Sequence, residues 1–205
     1  MARPVSSEQN SADLKRDLEV IESVLAGNVN EFEVLLEKYR AYVFTIVSRH
    51  VPYDQVEEVA HDTFIQAYKS LPTFAAQSPF RFWLSKIAVR SCYNFWRVQY
   101  KIKEVPSSSF SHDSRNWLDE VMTDGSLESF EREAERQEAK DLLDWALNKV
   151  SAADRMVINL IHLEGLSMKE AADQLAWSVA KVKVRAHRAR KKLHKLIEKL
   201  IRDEV

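Results

Sequence analysis

With 205 residues and 23.8 kDa, the chain is long enough for one large domain or two small ones. Only 3 glycines and 5 prolines, in a chain 45% hydrophobic and 30% charged, exclude a turn-rich all-β fold and glycine-rich phosphate loops, and favour helices. The single cysteine, Cys92, excludes a disulfide framework and a thiolate metal site. No apolar run approaches the roughly 18 residues that a spanning helix needs, and the polar start carries no signal-peptide core. A cytoplasmic protein without membrane insertion is the expectation.

The net charge of −1 hides segregation: residues 1–79 sum to −5, 80–103 to +6, 104–144 to −8, 145–176 to −1 and 177–202 to +9. Two basic blocks separated by an acidic one suggest two polyanion-binding surfaces, which the average would conceal.

Residues 1–13 are polar and read as a disordered tail. Helical periodicity runs from Leu14 to Ser48, broken near Gly27-Asn28, with Phe32, Leu35, Leu36, Tyr39, Val43, Ile46 and Val47 on one face. After Pro52, Asp54 is placed to cap a helix reaching Leu71, with Glu57 as its capping-box partner. That helix has a core stripe of Val56, Val59, Ala60, Thr63, Ala67 and Leu71. Its second stripe is Glu58, His61, Asp62, Ile65 and Lys69.

Ser78-Pro79 signals the next helix start, with the serine as cap and the proline at the first helical position; the helix extends to about Lys101. Phe80, Leu84, Ile87, Ala88, Ser91, Phe95 and Val98 suffice to pack it. Tyr93, Trp96 and Tyr100 are left over, beside Lys86, Arg90, Arg97 and Lys101. Rings interleaved with cations suit single-stranded nucleic acid, since rings stack on bases and cations hold the backbone. The same rings could equally be core.

Residues 103–127 contain Pro106, a serine cluster and no periodic apolar face, and read as a flexible acidic linker. Helical pattern returns over 128–205. Ser151 starts one helix, Ser167-Met-Lys-Glu170 is a capping box for a short one ending at Leu175, and Ser178 caps the last. In that last helix Val179, Val182, Ala186, Ala189, Leu193, Leu196 and Leu200 form an apolar stripe, while Lys181, Lys183, Arg185, Arg188, Arg190, Lys191, Lys192 and Lys195 cover the other faces. A short capped helix, a tight break and a longer basic helix make a helix-turn-helix, whose second helix enters the major groove. The fold class expected is all-α: two small bundles, 14–102 and 128–205, joined by the linker.

Gly165-Leu-Ser-Met-Lys-Glu-Ala-Ala172, with Val182-Lys-Val-Arg185 and His187-Arg-Ala-Arg-Lys-Lys-Leu193, resembles the fourth conserved region of extracytoplasmic-function sigma factors of the sigma-70 family. Glu58-Val-Ala-His-Asp-Thr-Phe64 and the stretch Leu71–Ala88 resemble that family's second conserved region. Ala180-Lys181 stands where the family usually has glycine-threonine, Val184 where it usually has serine, and His61 where glutamine is common.

The resemblance implies a transcription initiation factor without enzymatic activity or cofactor. Its partners would be core RNA polymerase, promoter DNA as −35 duplex and −10 non-template strand, and an anti-sigma inhibitor. By the same match Glu58, His61, Asp62 and Ile65 would dock on core polymerase. Phe74, Ala75, Ala76, Gln77 and Ser78 would capture a flipped −10 base, with Trp83, Lys86, Arg90, Tyr93 and Arg97 along the melted strand. Lys181, Lys183, Val184, Arg185, His187, Arg188 and Lys191 would contact the −35 element. The competing class is a dimeric helix-turn-helix regulator with an N-terminal sensor bundle. A pure interaction module is a third. No metalloprotease, nucleophile-elbow, P-loop or paired-cysteine motif is present, and His61-Asp62 has no second histidine cluster to complete a metal site.

Overall fold

The computed structural model describes residues 7–102 and 142–203. It divides into two compact units, Met1–Phe95 and Trp96–Val205. The described residues are helical, without strands, as the all-α expectation requires. None of their helices is long and apolar enough to cross a membrane. The proposed linker at 103–127 and the expected helix start at 128 lie outside the described residues.

The first unit opens with α1, Ser7–Leu25. The polar segment 7–13, read above as tail, is therefore helical. It contains no glycine or proline, and polarity alone does not break a helix. Gly27, at φ 111°, turns the chain out of α1 in a conformation that suits glycine. The carboxylate of Asp17, on α1, is buried. It accepts from Lys38 Nζ at 2.6 Å and Tyr39 Oη at 2.5 Å, both on α2, Phe32–Ser48. A buried charge is tolerable only when so compensated, and here the compensation ties α1 to α2.

Helix α3, Val56–Ser70, buries the whole predicted stripe Val56, Val59, Ala60, Thr63 and Ala67, adds Phe64, and is followed by buried Leu71. Asp54 does not cap it. Tyr53–Gln55 forms a 3-10 turn, Gln55 occupies the cap position in helical backbone geometry, and the Asp54 carboxylate accepts from Gln55 Nε2 at 3.0 Å. A side-chain cap needs an extended residue there.

Helix α4 is Phe80–Ile102, so Pro79 stands one position before it, its carbonyl accepting from Trp83 N at 3.5 Å. Its buried row steps by four: Phe80, Leu84, Ala88, Cys92, Trp96. The expected row ended instead at Phe95 and Val98. Phe95 is half-buried and Val98 is 56% exposed. Steps of three and four both fit a helical face, and the aromatic-rich sequence left either open.

In the second unit Trp96 lies beneath the Arg155 guanidinium, 3.7 Å from ring centroid to Cζ. Tyr100 Oη donates to the Leu147 carbonyl at 2.5 Å. Burial raises the Tyr100 pKa, with the Arg155 charge opposing. Both rings, left over in the sequence, are thus occupied by packing. Helical residues 142–148 lead to Ser151, whose Oγ accepts from Asp154 N and starts α5, Ala152–Ile158, buried throughout. A π turn, Asn159–Leu163, ends it. Helix α6 is Met168–Leu175 and α7 is Val179–Asp203. Both α5 and α6 pack on α7. Leu142, Ala146, Leu147, Val150, Ile158, Ala189, Leu193 and Ile197 form one core.

Ala176 joins α6 to the turn at φ 51° and ψ 46°, the left-handed region that costs a residue with a Cβ roughly 1–2 kcal/mol. Ala176→Gly is expected to raise the unfolding free energy by up to about 1 kcal/mol, since glycine's greater freedom in the unfolded chain offsets part of the relief. Denaturant melts measure it; an unchanged or lower midpoint contradicts strain at this turn.

Candidate nucleic-acid interface

The helix-turn-helix is assembled by local capping. Ser167 Oγ accepts from Glu170 N at 3.2 Å, and the Glu170 carboxylate accepts from Ser167 N at 2.9 Å. These bonds hold the Glu170 carboxyl below the usual range. Ser178 Oγ accepts from Lys181 N at 3.2 Å, starting α7 three residues after α6 ends. Helix α6 buries Ala171, Ala172 and Leu175. Helix α7 buries Val182, Ala186, Ala189, Leu193 and Ile197. Leu196 and Leu200 are half-buried, and Val179, expected in the stripe, is 46% exposed because it is the first residue of the helix.

The opposite face carries Lys181, Lys183, Val184, His187, Arg188 and Lys191, all exposed. Lys181 Nζ lies 3.8 Å from the Trp177 ring centroid. Trp177 was not singled out in the sequence, although its place between two capped helices was the available clue. Arg185 differs from the rest: its guanidinium donates to Asp154 Oδ1 at 3.1 Å, with the Asp154 side chain largely covered and the Arg185 side chain half-exposed. This predicted DNA contact is engaged inside the unit.

In the first unit α3 brings Glu58, His61 and Asp62 together on an exposed face, with Ile65 half-buried among them. After α3, Phe74 packs edge-on against Phe80 at 5.6 Å between centroids and lies 5.3 Å from Trp83. Phe74 and Trp83 are half-buried members of this ring cluster, so neither offers a free face like that of Ala75, Ala76, Gln77 and Ser78, all exposed. Ala76 holds φ 53°. Along α4, Lys86 and Tyr93 are half-buried and Arg90 is exposed; Arg97, past the first unit's boundary, is exposed too. A cationic and aromatic patch not foreseen also lies on this unit: the Arg81 guanidinium sits 5.0 Å from the Tyr42 ring and 5.6 Å from Phe82.

Comparison with known proteins matches two family profiles, sigma-70 region 2 over residues 35–102 and sigma-70 region 4 over residues 140–193. The ECF RNA polymerase sigma-E factor of Escherichia coli strain K12 is 30% identical over 192 residues, covering 91% of this chain and 96% of that one. The chain belongs to the extracytoplasmic-function sigma factors. RNA polymerase sigma-H factor of Pseudomonas aeruginosa is 26% identical over 190 residues, covering 92% and 97%. Among solved structures, CnrH in complex with the cytosolic domain of CnrY is 26% identical, with TM-score 0.46, covering 87% of this chain and 95% of that one.

In this sigma factor the Arg185–Asp154 pair fixes α7 against α5. Asp154 is itself placed by the Ser151 cap. Removing Arg185 takes a partner from the largely covered Asp154 carboxylate. Arg185→Ala is therefore expected to lower stability by about 1 kcal/mol, since solvent screens the half-exposed guanidinium. Arg185→Ala with Asp154→Ala should cost less than the sum of the single changes, measured as a double-mutant cycle. Additive losses would show that the pair contributes nothing.

His162, in the π turn, has its pKa lowered by burial and then by the Arg190 charge. The folded sigma factor thus favours neutral imidazole. As pH falls below the ordinary value of 6.5, the unfolded chain takes up a proton that the folded chain resists, so stability is lost. Melting curves of His162→Gln should flatten over that interval relative to the parent; parallel curves contradict the assignment.

Proposed function

We propose that this sigma factor divides its work between its units. The first docks on core RNA polymerase through Glu58, His61, Asp62 and Ile65 and holds the melted −10 non-template strand. The second reads −35 duplex with the outward face of α7. The single observation that carries the reading is the two-sidedness of α7: one row is buried, and the opposite face over residues 179–191 carries Lys181, Lys183, Arg188 and Lys191 and no carboxylate. Lys183 and Arg188 are suited to base edges, and Lys191 to phosphate. The −10 reading rests on exposed Ala75–Ser78, next in the chain to a ring cluster, and on Lys86 and Arg90. Tyr93, half-buried on α4, is the ring assigned to stack on a base. The site of action is the cytoplasm, where polymerase is. An inhibitory anti-sigma protein is the further partner that the family resemblance implies.

Asp62→Lys tests the docking assignment. The side chain is exposed and its helix is held by the opposite face, so the circular-dichroism spectrum should not change. Binding to purified core polymerase should be lost. Parental affinity in the variant would remove α3 from the docking surface.

A further inference from the structure

Helix geometry orders the outward face of α7. At about 100° per residue, Val182, Ala186, Ala189 and Leu193 cluster on the core side, where all four are buried. Val184 then stands opposite the core, in one ridge with Ala180 and Lys191. Lys181 and Arg188 flank that ridge on one side, and His187 and Lys183 on the other. Val184 is 48% exposed. A valine there gains nothing from the core and is a weaker helix former than the lysines and arginines around it. The apolar residue at the apex of a cationic helix is unexplained by the fold.

Near the start of a recognition helix the apex goes deepest into the major groove, long side chains on the flanks reach neighbouring base edges, and residues farther along the helix face phosphates. An apex lysine or arginine would seek the acceptors of guanine. A valine can make no hydrogen bond, and it would strip water from the donors and acceptors of guanine or cytosine without replacing it, at a cost for each stranded group. The one apolar feature on the floor of the groove is the C5-methyl group of thymine. We propose that Val184 is a specificity-determining residue of the −35 contact and that it reads a thymine methyl. The inference rests on the reading of α7 as the −35 helix and adds the base that its apex selects.

The test uses the full-length chain with core polymerase. Upstream duplexes are selected from a random library, and each thymine of the selected element is replaced singly by deoxyuridine, which lacks only the methyl. One replacement should weaken binding about three- to fivefold, the size expected for one buried methyl contact. Val184→Ser, a surface change checked by circular dichroism, should bind the thymine and deoxyuridine duplexes alike. The proposal is overturned if every replacement is silent, if the selected element holds no thymine, or if Val184→Ser still discriminates the methyl. In those three cases the helix-turn-helix reading stands, because a sequence has been selected. If no duplex sequence is selected at all, that reading fails and the proposal fails with it.

Discussion

Burial of one row of α7 governs what the second unit can do. Val182, Ala186, Ala189, Leu193 and Ile197 face α5, α6 and the residues around Leu142–Val150. Burying a side chain the size of Leu193 or Ile197 contributes about 1.5–3 kcal/mol. Turning the helix by one residue's angle would trade those groups for Lys183 or Arg190, whose charges the core could not compensate. The helix is thereby locked about its own axis. The lock is what gives the exposed side chains fixed directions, with Val184 at the apex and cations on both flanks. The Asp154–Arg185 pair adds a polar constraint to an apolar one. The capping serines fix where the two helices begin, and the left-handed Ala176 fixes the bend between them.

A similar economy appears in the first unit. Helix α3 spends one face on the core, from Val56 to Ala67, and that burial holds Glu58, His61 and Asp62 in register on the other. The rings of Phe74, Phe80 and Trp83 pack on one another, and the exposed Ala75–Ser78 lie between the first two of them in the chain. Packing rather than exposure is the role of these three rings.

What could be read in the sequence was local. Caps and capping boxes are local, so the Ser167-Glu170 box and the Ser178 cap were legible. The stripes of α3 and most of α7 followed from periodicity alone. The misses are long-range or terminal. Arg185 carries the same charge as its neighbours, and only a partner 31 residues away sets it apart from them. Trp96 looked like a spare ring until Arg155 covered it. Asp17 gave no sign of burial, because its two partners lie on the next helix. Val179 and Val98 fit the helical period, yet both stay about half exposed among the described residues, which periodicity does not report. Asp54 had the right residue type for a cap, but the 3-10 turn around it fixed a different backbone.

Run-off transcription with purified core polymerase on a fragment library from the source genome tests the central claim most directly. Adding the chain should produce a discrete set of transcripts that core polymerase alone does not make, with a shared upstream sequence element. A transcript set that is the same with and without the chain would contradict the account.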